Sequence, residues 1–175
     1  MKYHLMKITL LLLLCINSSC NLIHSPEEYF DKTALNTNML SRFGGSYFYT
    51  YQKYIKGGVG SGDFNTCEKY LKNYSIAFAE RNLEKVKGLY PNTEAKPMID
   101  ASIDLYTYVL ESYKTDHLEI ARMIDENAAA ESIDEAIKAL DEKSFDRFSE
   151  KYNKLWTIAK TYAKNNHIEV KEMPF

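Results

Sequence analysis

No run of apolar residues in this chain is long enough to cross a bilayer. The longest, Ile8 to Ile16, is broken only by Thr9 and is about half the roughly 20 residues that a spanning helix needs. Basic residues are not in excess: 22 lysines and arginines face 24 acids. A nucleic-acid surface needs a basic stripe, so no nucleic-acid partner is expected. Metal-ligand spacing is missing too. His24, His117 and His167 are isolated in sequence, and none forms the Glu-x-x-His pair of di-iron bundles, so no metal or other cofactor is expected. No Ser/His/Asp or Cys/His arrangement follows from spacing. The glycine run Gly57 to Gly62 has neither the Lys-Ser or Lys-Thr pair nor the preceding strand of a phosphate loop, and reads as a flexible connection. The chain is not expected to be an enzyme.

What is present begins at the N-terminus. Lys2, His4 and Lys7 precede the short apolar run, and Asn17-Ser18-Ser19-Cys20 closes it. This is the n-region, h-region and small-residue cleavage site of a signal peptide over residues 1–19. Ser18-Ser19-Cys20 resembles the bacterial lipobox, whose cysteine is obligatory. Cys15 competes poorly, because Leu13 and Leu14 before it are too large for the peptidase. The resemblance implies a thioether-linked diacylglycerol and an N-acyl chain on Cys20, and two or more chains anchor a soluble domain stably where one does not. Asn21 is not the Asp of the enterobacterial inner-membrane retention signal, so an outer-membrane address is expected.

Without its first nineteen residues the 175-residue chain is one ordinary domain, able to bury roughly 68 to 70% of its unfolded surface. Lys2 and Lys7 leave with the signal, so the mature chain carries two fewer basic residues and the same 24 acids, a formal charge of −4. Of three cysteines only Cys67 is left with a free thiol, and it has no internal disulfide partner. Its spacing with Leu71, Tyr74 and Phe78 places it on a buried helix face.

Residues 20–24 form a lipidated tether, 25–170 a helical domain and 171–175 a tail. Ser25-Pro26-Glu27-Glu28 is a capped helix start with proline in the first turn. Its segment runs through Leu35, Met39, Phe43, Tyr47, Tyr51 and Tyr54, bent at Gly44-Gly45. A second helix, capped by Asp63 or Asn65, follows Cys67, Leu71, Tyr74, Phe78, Val86 and Leu89. A third carries a sustained seam of Ile99, Ile103, Tyr106, Leu110, Tyr113, His117, Ile120 and Ile124, the pattern of antiparallel bundle packing. The box Ser132-Ile133-Asp134-Glu135 opens a fourth helix, whose apolar pattern lapses at Asp141 to Ser144, suggesting a break, and resumes at Phe145. His167 to Val170 reads as a short extended tail that packs against a helix end. The expected fold is all-α, an antiparallel up-and-down bundle of four helices, or five if the last is broken.

The lipobox cysteine, the glycine-containing connection before Asp63, the stretch Met98 to Asp125 and the ending Ala159 to Val170 resemble uncharacterised bacterial surface lipoproteins with a helical-bundle domain. That resemblance implies a location and a fold, and it carries no functional residue over.

Two sites stand out. His117 falls on the third seam, where a buried imidazole needs partners, a tyrosine hydroxyl being the simplest. Asp100 and Asp104, one turn apart, read as a solvated face. The cluster Tyr47, Tyr49, Tyr51 and Tyr54 is a candidate interaction surface, since tyrosine is enriched at interfaces. The expected function is a membrane-tethered module that binds another protein. A narrower form is a protective lipoprotein that neutralises an incoming toxin, phage or conjugation system. The alternative is a carrier of a small apolar ligand, lined by Met98, Met123 and tyrosines. Catalysis through His117 would require it to be exposed beside carboxylates.

Overall fold

The computed structural model describes residues 24–56 and 65–170, and within them the chain is an all-α bundle with no strands. Its α-helices are α1 (Pro26–Thr33), α2 (Gly45–Lys56), α3 (Cys67–Tyr70), α4 (Ala77–Lys87), α5 (Lys96–Lys114), α6 (Asp116–Asp125) and α7 (Ala130–Asn165). A 3-10 helix spans Leu35–Leu40, and a π-helix, Leu71–Ile76, joins α3 to α4 without interruption.

The first segment divides more completely than its spacing predicts. Ser25 caps α1 as expected, its hydroxyl accepting from the Glu28 amide. The helix then tightens to the 3-10 turn, which ends at Leu40, and Gly44, at φ +72°, turns the chain into α2. Leu35 and Met39 leave the predicted seam and are exposed. A positive φ suits glycine because it has no Cβ to clash.

The second segment keeps its seam only to Leu71. Buried positions then fall at Ile76, Ala79, Leu83 and Val86, a five-residue step followed by ordinary steps of three and four. A π turn accommodates one extra residue and rotates everything after it. Tyr74 therefore comes out of the seam and Phe78 is only half-buried. The cap is Thr66 rather than Asn65, its side chain accepting from the Lys69 amide, whereas Asp63 lies outside the described residues. Asp125 of α6 reinforces it, accepting from the amides of Cys67 at 2.7 Å and Glu68 at 2.9 Å. Asp125→Ala is expected to cost about 1 to 2 kcal/mol, read as a lower urea midpoint with an unchanged slope.

The third seam is continuous but its helix is not. Thr115 breaks it with φ −118° and ψ −94°, while Leu110, Tyr113, His117 and Ile120 all stay buried across the break. The predicted break in the last helix is absent: α7 runs 36 residues from Ala130. The Ser132 box lies inside it and makes no cap. At the C-terminus His167 takes φ 58° and the Ile168 amide donates to the Ala163 carbonyl, a Schellman closure that seats Ile168 against the core.

α5 is the central element, with ten buried residues including Met98, Leu105, Tyr106 and Val109. Its contacts with α7 run Asp104 to Lys151 and Tyr108 to Ser144, and Glu94 just before it meets Asn166 just after α7, so the two helices are antiparallel. Glu80 of α4 meets Lys114, and Glu68 of α3 meets Arg122 of α6, which gives the same sense on the other side. The buried Ser102 hydroxyl ties α5 to the Thr33 carbonyl of α1.

Candidate functional site

Four pieces of chain meet around His117: the Phe43-Gly44-Gly45 turn, the end of α5, the start of α6 and the middle of α7. The His117 ring is fully buried and packs against Phe43, Phe48, Tyr47 and Tyr113, with centroids 4.9 to 5.8 Å away. The Phe43 ring stacks in turn on Phe148 of α7 at 4.4 Å. Both ring nitrogens of His117 are engaged. The Gly44 amide donates to Nε2 at 3.2 Å, which assigns the proton to Nδ1, facing Ser112 Oγ at 3.0 Å and the Ser112 carbonyl at 3.3 Å. That carbonyl is reached because of the α5–α6 break, where Thr115 also donates to it.

Burial disfavours the charged imidazolium and lowers the His117 pKa to about 4, against the weaker opposing pull of the Ser112 backbone and Asp116. The ring is thus a neutral two-ended strut at physiological pH. Its partners are a serine and a glycine amide, not the tyrosine hydroxyl that the sequence suggests. With both nitrogens bonded and no exposure, the ring braces the turn and presents no free nitrogen to solvent.

Asp141 completes the junction. One oxygen accepts from the Gly45 amide at 2.8 Å, placing a carboxylate at the N-terminus of α2, where the helix dipole favours it. A Cβ at Gly45 would lie 2.7 Å from the other oxygen and 2.8 Å from Ile137 Cγ2, and one at Gly44 would collide with the carboxylate. Buried Ser144 and its carbonyl, which accepts from Tyr108, occupy the next turn. The apolar lapse at residues 141–144 is therefore where polar groups and close backbone approach replace side-chain packing.

The tyrosine cluster divides. Tyr47 and Tyr51 are 6% and 5% exposed, so they line the core and leave the candidate interaction surface. Tyr47 packs on Tyr113 and its hydroxyl meets Ser75 Oγ in the π turn. Tyr49 is 61% exposed, and the Tyr54 side chain lies outside the described residues. Two other large apolar side chains that the helical spacing places on a buried seam are exposed instead: Met39 at 50% and Phe145 at 42%. Each lies on an element that leads into or out of the junction: the 3-10 helix, α2 and α7. Met39 follows Asn38, whose side chain accepts from the Tyr152 hydroxyl; Phe145 lies against Gly44; and Tyr49 sits one turn past Gly45.

The remaining candidates are structural. Asp100 pairs with Lys96 and Asp104 with Lys151, on the solvated face expected of them. Cys67 is fully buried and free of any disulfide, and desolvation with nearby Asp125 pushes its thiol well above the usual range. It is expected to resist maleimide in the native protein and to react only on unfolding. Among the described residues no group of three or more His, Cys, Asp or Glu is placed to hold a metal ion, and no helix is long and apolar enough to cross a membrane. The glycine run Gly57 to Gly62 lies outside the described residues.

No family model matches this chain, and no curated protein or solved structure does either.

Proposed function

We propose that this protein is a lipid-anchored binding module of the bacterial envelope, held through Cys20 and recognising another protein with the apolar surface around Gly44. The observation that carries this reading is a contrast: His117 is sealed and bonded at both ends, whereas Met39, Tyr49 and Phe145, on the elements around it, are left in solvent. Aromatic and methionine side chains on such a surface are the groups that dominate protein recognition. The lipobox-like ending Ser18-Ser19-Cys20 is what supports the address. A protective role against an incoming toxin, phage or conjugation component is the narrower form, in which the net acidity of the mature chain would favour a basic partner.

The test is in-cell cross-linking of the full-length lipoprotein followed by mass spectrometry, with Cys20→Ala, Tyr49→Ala and Phe145→Ala beside it. One abundant partner is expected, lost without the lipid and weakened about tenfold or more by either aromatic truncation, as hot-spot residues do. A partner indifferent to both aromatics would contradict the assigned surface. A small-molecule carrier has one supporting feature, the buried Tyr106 hydroxyl without a hydrogen-bond partner among the described residues; retained lipid and no captured protein would favour that reading.

A further inference from the structure

The chain between Cys20 and the described domain is short, and it enters the fold at one end. Ser25 caps α1 only five residues after Cys20, a reach of at most about 17 Å when fully extended. The bundle is much longer than that, since α7 alone has 36 residues and spans about 54 Å. The elements at the tethered end are fixed by contacts: the Tyr29 hydroxyl donates to the Tyr90 carbonyl, and Asn166 after α7 donates to Glu94 before α5. The start of α1, the connection 88–95 and the C-terminus of α7 therefore form one face. Tyr90 projects from it, 66% exposed and followed by Pro91.

The charge along α7 is unequal. Exposed Glu131, Asp134 and Glu135 outnumber Lys138 in its first third, at the end away from the tether, whereas Lys154, Lys160 and Lys164 occupy its last three turns. Glu126, just before α7, adds to the far end. Glu27, Glu28 and Glu94 temper the tethered face, with Glu28 paired to Lys32 and His24.

Resting on acylation of Cys20 as proposed above, we infer that the domain stands end-on, with the face around Tyr90 against the phospholipid headgroups and the acidic tip at Glu126 to Glu135 held outward. Tyrosine suits that position, its ring in the interface and its hydroxyl in water. Anionic headgroups attract the lysine-bearing end of α7 and repel its acidic end.

The test uses full-length acylated protein in vesicles of phosphatidylethanolamine and phosphatidylglycerol, with a fluorophore on Thr93→Cys or on Glu126→Cys, both exposed positions. Nitroxide headgroup lipids are expected to quench position 93 several-fold more than position 126. Equal quenching, or stronger quenching at 126, on protein whose intact mass shows acylated Cys20, would overturn the orientation and leave the anchor standing. Protein with no acyl group on Cys20 would overturn both.

Discussion

Gly44→Ala is expected to lower stability by about 2 to 4 kcal/mol, more than any other exchange of a glycine for alanine in the described structure. Two costs add. The residue sits at φ +72°, where an L side chain is strained by about 1 kcal/mol. The added methyl also collides with the Asp141 carboxylate, which can yield only by giving up the Gly45 amide. Urea titration of the variant beside Gly88→Ala separates this from a generic glycine effect: Gly88 ends α4 at φ −77° with an ordinary van der Waals distance to its nearest neighbour. It is expected to change stability by no more than about 1 kcal/mol. In an Asp141→Ala background the cost of Gly44→Ala should fall toward the strain alone. Undiminished loss there would show that the carboxylate is not what the methyl meets.

His117 gives the second large effect, and its sign follows from linkage. Its folded pKa, about 4, is below the 6.5 of the free side chain because burial disfavours the charge. The unfolded chain therefore binds more protons through that interval. Stability from the neutral ring is full above pH 6.5 and is lost as pH falls toward 4, by roughly 3 kcal/mol in all. At pH 7, His117→Leu is expected to cost about 2 to 4 kcal/mol, because it leaves the Gly44 amide and the Ser112 carbonyl without the ring that bridged them. The gap between wild type and variant should narrow as pH falls from 6.5 to 4, since only wild type has an imidazole to protonate. Parallel denaturation curves at the two pH values check this, and a gap that widens in acid would contradict the neutral strut. The mechanical reason is direct: a proton on Nε2 would face the Gly44 N–H, donor against donor.

Much of the fold was legible because the long seam from Ile99 to Ile120 and the Ser25 cap are local patterns that tertiary packing reinforces. Where expectation and structure part, a non-local partner decides. Asp141 and Ser144 read as a break because they are polar on an apolar face, yet the Gly45 amide, nearly a hundred residues earlier, and Tyr108 occupy their places. The π turn at Leu71–Ile76 inserts one residue without any composition signal, and Tyr74 and Phe78 offered a convincing but wrong continuation. Conversely, the break at Thr115 left no mark because the seam passes through it unbroken. His117 was recognisable as a polar group on a buried stripe, but its Gly44 partner is 73 residues away. The tyrosines misled in part: a crowded aromatic stretch on a short helix must place some rings inward, and Tyr47 and Tyr51 take the core while Tyr49 takes the surface.

Everything proposed for the place of this protein in the cell depends on the lipid at Cys20, and an intact mass of protein extracted from membranes tests it most directly. The expected mass is that of a chain beginning at Cys20 with diacylglycerol and an N-acyl chain added, and none of it should appear in the Cys20→Ala form. A chain retaining residues 1–19, or one beginning near Cys20 without acyl groups, would contradict lipid anchoring.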